Sequence, residues 1–335
     1  MKKISWFTPQ SNDLSGEQWY SPGYQNAAIA NIKELNAMHV AVYYNKPEIP
    51  YHINFCQPVY YQHNNDYVVG YTPWESTVVP SSWLYNMSLC DEIWTTSNFV
   101  KDVFSNYNVN NNIHVIHHGA SPEFTILDRE ITDKFNFLHV GGESLRKNSQ
   151  MVVDAFLDLF DGNKDYRLIL KYNNKSNAKV RMNNELVDAS KHPQIVCLEH
   201  SLNTQDLIEL YHKSHCMIYP TKGEGFGMIP FEAIATGMPT IVTNATGTAD
   251  FAEMSFALNA EMAEAKEQSE YYGVDTGLWA YPSYDHLLEL MRQVVDDYDA
   301  AKRKTIQSAK IIHDSWRWTD SAAKIYDRYQ DFVGF

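Results

Sequence analysis

The feature that most narrows the fold of this chain is an alternation of short apolar runs with longer amphipathic ones, repeated in two blocks around a polar interruption. In the first block "KKISWFT", "HVAVYY", "DYVVGYT", "DEIWTTS" and "NIHVIHH" read as strands, with helices over "YQNAAIANIKELNA", "SSWLYNMSL" and "NFVKDVFSN". The stretch "GASPEFTILDREITDK" breaks the rhythm and reads as an interdomain linker. The second block has strands "FNFLHVGG", "YRLILKY", "QIVCLEH", "HCMIYP" and "PTIVT", and helices over "NSQMVVDAFLDLF", "LNTQDLIELYHK" and "IPFEAIATG". The tail, "HLLELMRQVVDDYDAAKRKTIQSAKIIHDS" and then "WTDSAAKIYDRYQDF", is helical by period. This order predicts an α/β protein of two Rossmann-like, doubly wound domains, residues 1–125 and 135–315, facing a cleft. A C-terminal helix over about 319–335 is expected to pack back on the first domain.

Length agrees: 335 residues suit two domains of roughly 150 residues each. With 44% hydrophobic and 20% charged residues the composition is that of a globular protein. The opening "MKKISWFTPQSNDLSGE" has no apolar run suited to a signal peptide, and no stretch of about 18 apolar residues occurs. A cytoplasmic protein is expected. Cys56, Cys90, Cys197 and Cys216 stand singly, without metal-type spacing, and are expected as reduced thiols.

The net charge of −14 is unevenly placed. Up to residue 125 the only basic residues are Lys2, Lys3, Lys33, Lys46 and Lys101, and the first arginine is Arg129. Phosphate backbones and anionic membranes are bound by clustered Lys and Arg, so the first half disfavours both as partners. It is instead rich in aromatics, among them Trp6, Trp19, Tyr20, Tyr24, Trp74 and Trp83. Most of these serve the core; the remainder suit a neutral partner with flat apolar faces, such as a sugar ring.

One stretch of the second block is dense in chemistry. In "YPTKGEGFGMIPFEAIATG" a buried strand runs into a glycine-rich loop and then a helix, with Glu224 in the loop and Glu232 just over one turn into the helix. The loop is expected to be flexible, because Gly223, Gly225 and Gly227 permit unusual dihedrals and close backbone approach. The helix start offers N–H groups to an anion. Two carboxylates that accept from hydroxyls, on either side of a phosphate seat, match a nucleotide sugar.

The spacing in "EGFGMIPFE" resembles the E-x7-E motif of retaining glycosyltransferases with the GT-B fold, most closely glycosyltransferase family four. Further segments resemble that family in order: "GYTPWESTVVPSSWLYNMSLCDEIWTTSNFVKDVF", "FLHVGGESLRKNSQMVVDAF", "GMPTIVTNATGTADF" and "GLWAYPSYDHLLELM". The resemblance implies transfer of a hexose or pentose from a nucleoside diphosphate sugar, with retention, to a hydroxyl acceptor such as a saccharide. It implies no metal and no cofactor beyond the donor. Asp297-Tyr298-Asp299, the only Asp-x-Asp, is expected as surface charge in the helical tail.

Carried over by position, Glu232 would bind the ribose, Glu224 the donor sugar, and Arg146 and Lys147 the diphosphate, with backbone contacts from Gly225, Phe226 and Gly227. Gly142 stands where many members carry arginine. Gly23, in "SPGYQNA", is expected near the donor phosphates, and Glu75 near the acceptor. The histidine frequent in the acceptor domain has four candidates, His52, His63, His117 and His118. Two other classes remain open: an enzyme acting on hydroxymethylated bases of viral DNA, and a non-catalytic nucleotide-sugar-binding protein.

Overall fold

The structure, a computed structural model, describes residues 2–9, 22–107, 109, 112–141, 144–172, 178–182 and 185–334. The first unit contains β1 (Lys2–Phe7), α1 (Pro22–Ala37), β2 (Val40–Tyr44), β3 (Tyr51–Phe55), β4 (Tyr67–Tyr71), α2 (Ser81–Ser88), β5 (Glu92–Thr95), α3 (Asn98–Ser105) and β6 (Ile113–Val115). Its strands form one parallel sheet in the order β2-β1-β3-β4-β5-β6. Strand β3 is absent from the sequence reading. It is buried on both faces, so "YHINF" shows no polar alternation, and its two polar residues are satisfied internally. His52 meets Ser5 Oγ at 2.8 Å, and Asn54 Nδ2 donates to the Gln62 carbonyl at 3.0 Å.

The second unit begins with β7 (Phe135–Val140), α4 (Ser149–Phe160) and β8 (Tyr166–Tyr172), followed by an antiparallel hairpin, β9 (Lys179–Met182) and β10 (Glu185–Asp188). It continues through β11 (Ile195–Glu199), α5 (Thr204–His212), β12 (Cys216–Tyr219), α6 (Met228–Ala235), β13 (Thr240–Thr243) and β14 (Phe256–Leu258). The parallel sheet has the order β11-β8-β7-β12-β13-β14. Two six-stranded parallel sheets with helices around them make the α/β two-domain GT-B architecture.

A strap then leaves the second unit: β15 (Ala260–Glu264), α7 (Lys266–Tyr272) and β16 (Leu278–Pro282), with β15 and β16 antiparallel. It docks on the first unit. Val78 N donates to the Thr276 carbonyl at 3.0 Å, Leu278 N donates to Thr77 Oγ1 at 2.8 Å, and the Tyr272 ring meets Trp74 at 5.4 Å between centroids.

The stretch 286–315, helical by period without a break, holds two helices, α8 (Tyr284–Asp296) and α9 (Tyr298–Ser315). Asp297 leaves helical geometry and caps α9, its carboxylate accepting from Ala300 N at 3.0 Å. Helix α10 (Trp318–Val333) returns to the first sheet, where Trp318, Ala322, Ile325 and Tyr329 share a core with Ile4, Ala27 and Tyr51. Arg328 on α10 donates to the buried Glu92 of β5, Nη2 to Oε1 at 2.8 Å. No helix among the described residues is long and apolar enough to cross a membrane.

Candidate active site

Strand β12 is buried throughout and delivers its carboxyl end into the cleft between the two units, where residues 220–227 lead into α6. This loop is not the flexible one expected. Its turns are fixed by close packing and by hydrogen bonds at almost every residue. Gly227 has φ of +101°, and a Cβ there would lie 2.7 Å from Thr248 Cγ2. A Cβ on Gly225 would overlap the Pro73 side chain of the first unit. Glu224 N donates to Thr246 Oγ1 at 3.1 Å, Gly247 N donates to the Glu224 carbonyl at 2.8 Å, and Thr96 Oγ1 donates across the cleft to the Gly225 carbonyl at 2.7 Å.

Gly225→Ala is therefore expected to force the units apart, with about 1–3 kcal/mol of overpacking strain. The readout is a raised KM for the donor with secondary structure intact. Unchanged kinetics would show that the close approach of Pro73 is dispensable.

Glu224 is the centre of the charge cluster. Its Oε1 accepts from Lys147 Nζ at 2.6 Å, Arg146 Nη1 at 3.0 Å, Thr221 Oγ1 at 3.0 Å and Tyr219 OH at 3.1 Å. All of these bonds converge on one oxygen. Burial would push this carboxyl up, but Lys147 and Arg146 outweigh burial and hold it down at about 2. Arg146 is pushed up despite its own burial because Glu224 and Glu75 face it. Lys147 is drawn down, by burial first and then by its cationic neighbour Arg146, against the opposing pull of Glu224. The short helical turn that carries the two cations, Leu145–Lys147, is fixed by Ser144, whose Oγ accepts from Arg146 N, and Arg146 also donates to the Gly223 carbonyl.

Glu232 is in a different electrostatic state. It is half-buried in the same cleft, accepts a long bond from Tyr211 OH at 3.4 Å, the one hydrogen bond its carboxylate makes among the described residues, and burial pushes it up to about 8. One glutamate is thus an anion locked between cations, and the other keeps its proton near neutrality. The start of α6 lies between them in sequence, and both glutamates line a cavity of about 1000 Å³ together with Arg146 and Lys147.

Gly225, Phe226 and Gly227 line the cavity; so does Gly23, exposed on the first turn of α1. Glu75 lines it too, 3.6 Å from Arg146 Nη2 and accepting from Gln268 Nε2 at 3.5 Å. Gly142 lies outside the described residues. Of the four histidines only His118 reaches the cavity, packed between Phe226 and Trp318 and held neutral by burial, which lowers its pKa to about 3. His52 is in the first unit's interior, His63 is half-buried in the same unit, and His117 pairs across the units with Asp250 at 2.8 Å. The sequence reading did not single out Tyr219, Thr221 or Thr246. Their signal was available, since each is a polar side chain in a loop or strand end at the carboxyl edge of the sheet. Asp299 pairs with Lys302 on the surface of α9 at 3.3 Å, and no cluster of three metal-binding side chains occurs among the described residues.

Among solved structures, the chain is similar to HepE of Anabaena in complex with UDP and glucose (TM-score 0.66, 12% identity, 99% of this chain and 100% of that one). It is also similar to WaaG, a glycosyltransferase involved in lipopolysaccharide biosynthesis (TM-score 0.60, 13% identity, 98% and 99%). At these identities the likeness is one of fold. A curated relative, the O-antigen chain mannosyltransferase RfbU of Salmonella typhimurium, is 28% identical over 172 residues, 48% of this chain and 45% of that protein. The chain thus spans under half the length of the curated relatives it matches; for the capsular polysaccharide biosynthesis glycosyltransferase CapM of Staphylococcus aureus the share is 15%. Residues 97–325, which include β6 to β16 and every charged group of the cluster except Glu75, match the family described as family 4 glycosyltransferase in conflict systems. The chain belongs to that family, and its architecture is the GT-B fold.

Proposed function

We propose that the protein transfers a sugar from a nucleoside diphosphate sugar to a hydroxyl of a saccharide or glycoconjugate, with retention at the anomeric carbon. The observation that carries this reading is the convergence, in one cleft beside the start of α6, of the cations Arg146 and Lys147, bonded to Glu224, with Glu232. Glu224 Oε2 would accept from donor-sugar hydroxyls. Glu232 would accept from the ribose. The diphosphate would lie over the start of α6, where backbone N–H groups and the helix dipole favour an anion.

Arg146 and Lys147 then face the oxygen that gains charge as the glycosidic bond breaks. That departing phosphate oxygen can take the acceptor's proton on the same face, so retention needs no pair of catalytic carboxylates. The two cations provide the positive charge on which a metal-independent reaction would rest. Glu75, on the first unit's side of Arg146, would orient the acceptor. RfbU and CapM are named for building saccharide chains, which favours a carbohydrate acceptor. The alternative of a viral DNA base finds no support among these relatives.

A thermal-shift panel of UDP, GDP, ADP, CDP and TDP, on the wild type and Glu232→Ala, tests the donor site. One nucleotide should raise the melting temperature, less so in the variant. No shift with any of them would overturn the reading. Hydrolysis of the donor without an acceptor would separate an enzyme from a binding protein.

The pH dependence has a defined sign. The folded free protein keeps the Glu232 proton up to about 8, against an ordinary value of 4.5. Stability from this group is therefore full below the ordinary value and declines as pH rises through the folded one. Ribose hydroxyls bind the carboxylate form, so nucleotide affinity should rise with pH and level off above about 8. Titration calorimetry from acid to alkaline pH reads this, with Glu232→Gln expected to flatten the curve. An equal slope in that variant would assign the dependence to another group.

A further inference from the structure

Beneath the glycine loop, one residue holds a costly backbone conformation. Four non-glycine residues among the described ones have φ in the left-handed region: His39, Asn45, Asn148 and Thr246. Asn and His enter that region at modest cost, but Thr246, with φ of +56°, is β-branched and is the outlier. It opens the helical turn Thr246–Asp250 after β13 and is buried, 4% exposed. Such a conformation persists where its surroundings over-determine it. Here the surroundings are the glycine loop of the site. Thr243 Oγ1 donates to the Thr221 carbonyl at 2.7 Å, Thr246 Oγ1 accepts from Glu224 N at 3.1 Å, and Gly247 N donates to the Glu224 carbonyl at 2.8 Å. Thr248 Oγ1 donates to the Thr243 carbonyl at 2.6 Å and ties the turn to the end of β13. A Cβ on Gly247 would lie 2.4 Å from the Gly225 carbonyl oxygen, so turn and loop meet backbone to backbone.

Glycine would take φ of +56° without strain, so the backbone shape alone gives threonine no advantage. What threonine adds is a hydroxyl, and that hydroxyl bonds the Glu224 amide. Glu224 has glycine on both sides, Gly223 and Gly225, so its own chain does little to fix it. Its carboxylate nevertheless has to meet Lys147, Arg146, Thr221 and Tyr219 at one oxygen. We infer that Thr246 is a positioning residue, a strained clamp whose Oγ1, with Gly247 N, holds the Glu224 backbone so that its carboxylate is set among the cations before a donor binds. Thr246 does not itself line the cavity and acts through Glu224. For its effect on donor binding the inference rests on the nucleotide-sugar reading; the clamp itself does not.

The test compares Thr246→Gly with Thr246→Ser, which keeps Oγ and drops the branching methyl. In Thr246→Gly the relief of strain and the loss of the bond oppose each other, so the melting temperature should stay within a few degrees of wild type. Hydrogen exchange read by mass spectrometry should nevertheless rise about tenfold in the peptide covering residues 221–227, with β7 and β8 as protected as before. Calorimetry with UDP, UDP-glucose, GDP and GDP-mannose should show the sugar nucleotides weakened about tenfold and the bare nucleotides unchanged, since Glu224 is read as the sugar's partner. Thr246→Ser should match wild type in both readouts and melt no lower. Unchanged exchange at 221–227 in Thr246→Gly would overturn the inference, as would a Thr246→Ser that behaves like Thr246→Gly. Equal weakening of sugar-bearing and bare nucleotides, or a melting temperature of Thr246→Gly far below wild type, would make Thr246 a scaffold contact and overturn it too. If none of the four compounds binds the wild type, the donor reading falls alone, and the exchange comparison upholds or overturns the clamp.

Discussion

Lys147→Ala is expected to lower kcat by about two to three orders of magnitude, the effect of removing one preorganised donor from a developing oxyanion. Lys147 Nζ is fixed by Tyr219 OH and Glu224 Oε1, both at 2.6 Å, so it needs little reorganisation to meet a leaving diphosphate. Its loss acts twice. The diphosphate loses a cation, and Glu224 loses the stronger of the two influences that oppose its burial, so its pKa should climb. Lys147→Arg should recover only part of the rate, because a planar fork does not fit a site shaped around a point charge. Initial rates at saturating donor check this. Turnover within about tenfold of wild type, short of what an oxyanion donor supplies, would remove Lys147 from the diphosphate. Arg146→Ala should also be severely slowed, since Arg146 ties Glu224, Glu75 and the Gly223 carbonyl together.

The second large effect concerns stability. Arg328→Met should cost about 3–5 kcal/mol, because it leaves the carboxylate of Glu92 buried without its cation. Glu92 is fully buried and accepts from Tyr67 OH at 2.6 Å, Trp94 Nε1 at 2.7 Å and two nitrogens of Arg328. Burial raises its pKa, but the hydrogen bonds, led by Arg328, outweigh that and hold it below 4.5. In the wild type the contribution is present above the ordinary carboxylate pKa and is lost as pH falls through the depressed value. In Arg328→Met the sign reverses, and stability should fall as pH rises. Urea titrations at two pH values measure both. A variant as stable as wild type at each would show that α10 is held by its apolar face alone.

Much of the fold was legible because its signals are local and periodic. Where the sequence misled, the cause is identifiable. The pattern of β3 vanished because both faces of the strand are buried and its polar residues are satisfied by Ser5 and Gln62. The break at Asp297 went unread because apolar spacing continues through it, although an aspartate three residues before the amide it caps is a start signal. The strap from β15 to β16 carries no helix-and-strand rhythm of its own; its shape is set by Trp74 and Trp83, which lie some two hundred residues earlier. In the site, the residue types at Arg146, Lys147, Glu224 and Glu232 were legible. The opposite protonation tendencies of the two glutamates were not, since they depend on which cations tertiary packing brings to each. The rigidity of the glycine loop was hidden for the same reason: Pro73 and Thr96, which brace it, belong to the other unit.

The return of α10 to the first sheet bears on how the protein is made. Synthesis delivers β1 to β6 first, yet the helix that completes their core, with Trp318 and Tyr329, follows the whole of the second unit. Until it emerges, Tyr51 lacks its partners Tyr329 and Phe332, and Glu92 lacks Arg328. The unit translated earlier is therefore the one that finishes folding later. During that interval its uncovered aromatic surface is the part of the nascent chain most in need of a chaperone.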